Sequence, residues 1–292
     1  MDTTVIAFYK FFTLAREAVP VARETLLSAA KGTSVRGLIL VSEEGINGTI
    51  AASAEDIARY KDVLEGIAGQ LTYKESQALS QPFKRFIVKI RKEIVAIGDP
   101  SMHPTSAKDS SHISPDEWDT MIESGDAVII DTRNDYETAI GMFEGAIDPH
   151  IKTFQEFPAY IQKASIPKEK TVLLYCTGGI RCEKAVLAMK KEGYPHVYQL
   201  HGGILQYLKE RKGGKFWGEC FVFDHRVAVD AALRPSEKYA LCPHCGDPGD
   251  IRITCERCSS AGTVCKRCVR ACSKDCAYHL ARSRNMASSH AS

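Results

Sequence analysis

Apolar positions change period several times along this chain, and the changes mark out its elements. "TVIAFYKFF" near the N-terminus reads as a strand, and "VARETLLSAAKG" as a helix stopped by Gly32. "VRGLILVSEEGINGTIAAS" has two apolar runs on either side of a Glu-Glu-Gly-Ile-Asn-Gly turn, which predicts a hairpin. In "AEDIARYKDVLEGIAG" the residues Ile57, Tyr60 and Leu64 recur at helical spacing, behind a candidate cap at Ser53. "FKRFIVKIRKEIVAIG" alternates like a strand, with Phe86, Val88 and Ile90 on one face and Arg85, Lys89 and Arg91 on the other. The order β-α-β-β-α-β predicts a ferredoxin-like sandwich over residues 1–98.

Residues 99–112, "DPSMHPTSAKDSSH", have no period and read as a linker, with His103 and His112 as solvated loop residues. From residue 113 to 215, short β-branched runs alternate with helices. "SPDEWDTMIESG" has Ser114 at its cap and Pro115 at its first position, and Pro158 interrupts the helix "FQEFPAYIQKA". "AVIIDTRN", "KTVLLYC" and "VYQL" are the buried strands. This alternation predicts a doubly wound, mostly parallel sheet covered on both faces. Sites in such sheets gather at the carboxyl ends of strands, where "DTRN" and "CTGG" fall. Residues 216–276 read as an aromatic-rich connector and a Cys-rich segment, and residues 277–292 as a disordered polar tail.

Composition adds a compartment and a metal. A net charge of +2 over 292 residues does not mark a general polyanion binder, so nucleic-acid contacts must be local. The longest apolar runs are too short to span a membrane, and the N-terminus has no signal-peptide pattern. A cytoplasmic protein with reduced thiols is expected. Eight of the 11 cysteines fall after residue 240, in four short pairs: Cys242 and Cys245, Cys255 and Cys258, Cys265 and Cys268, Cys272 and Cys276. Each pair can bite one metal, and two pairs complete a tetrahedral thiolate site. The spacing predicts structural zinc, sequential or cross-braced, stapling a segment too small for its own core. Eight thiols make His244 and His279 unnecessary as ligands. From Cys242 onward there are eight Lys/Arg against four Asp/Glu, with Lys266, Arg267 and Arg270 between ligand pairs. These, with the basic face of "FKRFIVKIRK", are candidate phosphate contacts.

"YCTGGIRCEKA", Tyr175 to Ala185, carries the chemistry. Thr177, Gly178 and Gly179 let the backbone curl so that amides point at one spot, and the helix beginning near Arg181 adds its positive end. A sulfur held there, that of Cys176, is favoured as thiolate, and Arg181 adds a fixed charge. Cys182 lies in the first helical turn. It is either a resolving thiol for an oxidised Cys176 or a residue facing the sheet. Asp131 and Arg133, at the neighbouring strand end, are candidates to orient the loop or the substrate.

Four residues separate Cys176 from Arg181, a smaller cradle than that of cysteine phosphatases. Residues 113–215 resemble a rhodanese domain, whose loop Cys carries a persulfide: "DTRNDYE" matches Asp-x-Arg-x-x-x-Glu, and "LHGGI" matches the late Gly-Gly turn. "GMFEGA" stands where that family has Gly-His-Ile-x-Gly-Ala. "YKFF", "EEGINGT", "CTGGIRCEKA", "FVFDHR" and the Cys-rich segment, in that order, resemble the rhodanese-domain tRNA uridine(34) hydroxylases. The resemblance implies an oxidoreductase forming 5-hydroxyuridine at the wobble base of a tRNA anticodon loop, with molecular oxygen as co-substrate. Two routes stay open: a thiolate adding to C6 of uracil, or a Cys176 persulfide. No flavin or haem motif is visible. The alternative is a thiosulfate-type sulfurtransferase. A binding module with a vestigial loop is a third reading, against which the intact Cys-Gly-Gly-Arg loop argues.

Overall fold

The computed structural model describes residues 3–104, 111–271, 275–276 and 279–280. Its N-terminal unit runs β1 (Thr3–Phe11), α1 (Ala18–Ala29), β2 (Arg36–Ser42), β3 (Gly45–Ala52), α2 (Ala54–Ala68), β4 (Tyr73–Ala78) and β5 (Phe86–Ile90). The sheet order is β4-β1-β3-β2-β5. Ile6, Phe8, Ile39, Val41 and Ile50 point to one face and pack with Leu26 of α1 and Ile57, Tyr60 and Leu64 of α2. Each such side chain contributes roughly 1.5–3 kcal/mol on burial. Ser53 caps α2 by accepting from the Asp56 amide at 3.2 Å.

The strand expected at "FKRFIVKIRKEIVAIG" is real but short, and it is the fifth. The fourth is "YKESQA", which pairs antiparallel with β1 while β5 pairs parallel with β2. It escaped sequence reading because it is a polar edge strand with one fully buried residue, Ala78. Sequence pattern sees apolar alternation, and an edge strand needs little of it.

The second unit runs β6 (His112–Ile113), α3 (Pro115–Glu123), β7 (Val128–Asp131), α4 (Asp135–Thr138), β8 (Gly141–Phe143), α5 (Phe157–Lys163), β9 (Val172–Tyr175), α6 (Ile180–Lys191), β10 (Val197–Leu200) and α7 (Gly203–Arg211). Its sheet, β6-β10-β9-β7, is wholly parallel. Ser114 and Glu117 close a reciprocal capping box at α3. Pro158 stands in the first turn of α5, where its missing N–H costs nothing, so it begins a helix rather than interrupting one. His112 is part of β6 and is held by Glu183 at 3.0 Å, not solvated in a linker.

The chain then returns. β11 (Phe216–Gly218) pairs with β8, and β12 (Cys220–Phe221) with β13 (Ala228–Val229). Phe143, Trp118, Tyr175, Tyr207 and Phe216 form one aromatic cluster beneath the sheet. The Cys-rich segment holds β14 (Ala240–Leu241), β15 (Pro248–Gly249), β16 (Ile251–Thr254), β17 (Ala261–Val264) and α8 (Lys266–Ala271). The expected tail lies outside the described residues apart from His279 and Leu280. Among the described residues no helix is long and apolar enough to cross a membrane.

Candidate active site at Cys176

The site begins where β9 ends. Its four residues are wholly buried, and the chain must turn sharply at Cys176 to enter α6. Gly179 makes the turn with φ +98°, and a Cβ there would meet the Tyr9 hydroxyl at 2.9 Å. The Gly179 amide donates to Cys176 Sγ at 3.0 Å. The second glycine turn locks the first. The Ile204 and Leu205 amides, at the start of α7, donate to the Cys176 and Thr177 carbonyls at 3.0 and 3.1 Å. A Cβ on Gly203 would stand 2.5 Å from the Cys176 carbonyl oxygen, so only glycine allows this approach.

Burial pushes the Cys176 thiol up. A hydrogen bond from Cys182, the Arg181 charge and the Arg181 and Gly179 amides outweigh it and bring the pKa down to about 6. Cys182 goes the other way, raised by burial and by its bond to Cys176. It faces the sheet, 3.7 Å from the Thr132 hydroxyl. Of the two thiols, Cys176 is the one held toward the anion, with Cys182 donating to it.

The flanking arginines are spent on carboxylates. Arg181 forks onto Glu137 of α4 at 2.6 and 2.7 Å, inside the protein. Glu137 would rise on burial, but the Arg181 guanidinium holds it below its usual range. It also accepts from the Thr177 hydroxyl at 3.3 Å. Asp131 and Arg133 are both fully buried, with Arg133 forked onto Asp131 and reaching the Gly141 carbonyl at 2.6 Å. The pair lies inside the protein behind the loop, where Arg133 also ties the strand end to Gly141.

The N-terminal unit closes the other side. Glu183, beside Cys182, accepts from Tyr9 at 2.9 Å and from Gln199 at 3.2 Å. Lys184 is completely buried and bridges Glu44 at 2.8 Å and Glu93 at 2.7 Å. The "EEGIN" turn and the "CEK" helix are therefore two halves of one joint. In "FVFDHR", Arg226 forks onto Asp224 and reaches the Ser76 hydroxyl of β4 at 2.7 Å. Between these units lies a cavity of about 380 Å³. Its walls include Cys176 and Gly178, the open sheet face with Tyr9 and Lys74, and Phe223 of the connector. Phe223 is 55% exposed at this wall.

The cysteines separate into two groups, each able to hold a metal such as zinc. Cys242, Cys245, Cys265 and Cys268 bring their sulfurs within 4.8 Å of one another, and so do Cys255, Cys258 and Cys276 with His279. Pairs one and three thus form one group, and pair two joins Cys276 in the other, the cross-braced order. The Cys245 and Cys265 sulfurs lie 3.6 Å apart and those of Cys258 and Cys276 3.8 Å. A tetrahedral zinc with Zn–S near 2.3 Å holds sulfurs about 3.8 Å apart. His279, set aside as unnecessary, brings Nδ1 to 3.3 Å from Cys255 Sγ. Its spacing of three from Cys276 is a signal present in the sequence. Cys272 lies outside the described residues.

The loop residues and Cys182 thus come together, Asp131 and Arg133 stand behind them, and the cysteine groups belong to a separate segment. Sequence reading missed Lys74, Tyr9, Glu137 and Phe223. The first two come from another unit and had no local signal. Glu137 was visible only as the last letter of "DTRNDYE".

Such a fold and loop define a rhodanese-type protein with an extra sandwich before the Cys loop and a cysteine-rich segment after it. Family models match in the same order: a UPF0176 acylphosphatase-like domain at residues 3–94, a rhodanese-like domain at 114–210 and a rhodanase C-terminal segment at 217–279. A tRNA uridine(34) hydroxylase of Bdellovibrio bacteriovorus is 46% identical, over 94% of this chain and 81% of its own. Another from Picosynechococcus sp. is 40% identical, over 92% of this chain and 91% of its own. Among solved structures, the rhodanese-like domain of the Alr3790 protein from Anabaena sp. is 21% identical with a TM-score of 0.32, covering 38% of this chain and 80% of that one. The chain belongs to the tRNA uridine(34) hydroxylase family.

Proposed function

We propose that this chain hydroxylates C5 of uridine 34 in tRNA, with molecular oxygen as co-substrate and Cys176 as the group that engages the base. What carries the reading is Cys176 itself, a thiol lowered to about 6 on the wall of the inter-unit cavity, in a chain of this family. A cavity of about 380 Å³ has room for one extruded base, and a single-stranded anticodon loop extrudes one at low cost. Phe223 offers a stacking face. Lys89 is exposed and sits opposite Leu40, on the sheet face that lines the cavity, so basic β5 leads toward Cys176. Lys266 and Arg270 are exposed on α8 as further phosphate contacts, whereas Arg267 is paired with Asp247.

In chemical terms the thiolate adds to C6 and the nucleophilic C5 takes one oxygen atom of O2, the other leaving as water with two electrons and two protons from a two-electron reductant; departure of the thiolate with the C5 proton then restores the ring. A persulfide on Cys176 is the other form in which the same sulfur would act. Two structural zinc ions, one per cysteine group, would brace the C-terminal segment. The work would be cytoplasmic, where tRNA and reduced thiols are found.

The test is a gene deletion followed by mass spectrometry of tRNA nucleosides. In a strain with no parallel route, 5-hydroxyuridine and its derivatives should vanish, return with the wild-type gene and stay absent with Cys176→Ser. Their persistence in the deletion would refute the proposal. Growth under labelled oxygen should place the label in the restored base.

A further inference from the structure

We propose that Lys74 is a second cation, beside the carboxylate-paired Arg181, that holds the Cys176 sulfur as an anion, so that one site is built from two structural units. The inference rests on the reading of Cys176 as the reactive group. It begins from a shortage of charge. A buried anion needs a compensating partner, and both loop arginines are already committed. Arg181 is neutralised by Glu137 and Arg133 by Asp131. Lys184 lies between Glu44 and Glu93, and Arg226 is forked onto Asp224. Among the described residues, Lys74 forms no ion pair.

Its position fits the role. Lys74 stands on β4 opposite Ala7, on the sheet face turned toward the cavity. Its Nζ lies over the Tyr9 ring, 5.0 Å from the centroid. A Cβ placed on Gly178 would be 3.8 Å from Lys74 Cδ, and one on Gly202 would be 3.7 Å from its Cε. The side chain therefore lies in van der Waals reach of both glycine turns that frame Cys176. Burial lowers the Lys74 ammonium, while Cys176 and Glu183 pull it back up. A half-buried ammonium of this kind is weakly hydrated and free to serve an anion.

The surrounding groups set the background. Cys182 shares the hydrogen bond with Cys176, and Cys220 on β12 is raised to about 12 by burial, so neither supplies charge. Tyr9 is held protonated, and Glu183 is held ionised by His112 and Tyr9 against the push of burial. Burial lowers His201, and His112 and Lys74 lower it further, with Glu210 opposing. Removal of Lys74 thus leaves the sulfur facing Glu183 with only the charge of Arg181, itself paired with Glu137.

The experiment follows alkylation of Cys176 by iodoacetamide against pH in full-length protein, read peptide by peptide by mass spectrometry. Wild type, Lys74→Met and Lys74→Arg are compared, with thermal melts to show that each is folded. Lys74→Met should raise the inflection by about one unit or more, as loss of a neighbouring opposite charge does. Alkylation at pH 6 should then slow several-fold, and Lys74→Arg should stay near wild type. A folded Lys74→Met whose inflection agrees with wild type within about 0.2 units would overturn the inference. So would Lys74→Arg shifting as far as Lys74→Met. The titration needs no turnover, so loss of the proposed hydroxylation in every variant would fall on that reading and leave this one standing.

Discussion

Cys176 is acidic because Gly179, Arg181 and Cys182 of its own loop outweigh the cost of burial, while Glu137, paired with Arg181, offsets part of that charge. That last point carries a prediction of opposite signs. Glu137→Gln should lose about 3–5 kcal/mol of stability, because it leaves a buried guanidinium without its carboxylate. The Arg181 charge, no longer offset, then acts more strongly on Cys176, so the alkylation inflection should move to lower pH than in wild type. A melt and a pH profile on one preparation read both. An unchanged melting temperature would mean that the fork at 2.6 and 2.7 Å does not hold the loop.

At the scale of elements, α6 does three jobs in one turn. Its N-terminal amides serve Cys176, Glu183 ties Tyr9, and Lys184 ties Glu44 and Glu93. Lys184→Met would leave two buried carboxylates facing each other. It should cost about 3–5 kcal/mol and loosen the N-terminal unit, which limited proteolysis and thermal unfolding would both register. A melting temperature unchanged from wild type would contradict the joint. These elements also show what was legible beforehand. Ser53, Ser114 and the apolar period of α2 announced themselves, because caps and helical stripes are local signals. "YKESQA" did not, because an edge strand beside β1 is specified by its partner rather than its own pattern. The same reason hid Lys74 and Tyr9. Cys176 could be read from its loop, but what faces it comes from more than 100 residues earlier in the chain.

For the whole molecule, three units converge on the cavity, while the cysteine groups sit in a segment of their own. Purified protein should contain about two zinc ions per chain, and His279→Ala should lower the count toward one by elemental analysis. Less than about one zinc in the wild type would contradict the metal assignment. The central claim is that Cys176 meets uridine 34 in the cavity between units, and the rate of Cys176 alkylation in the presence of tRNA tests it most directly. An unmodified tRNA with uridine at position 34 should slow that alkylation at least about tenfold at saturating concentration, whereas the same tRNA with cytidine there should protect less. Equal alkylation rates with and without a bound uridine-34 tRNA would contradict it.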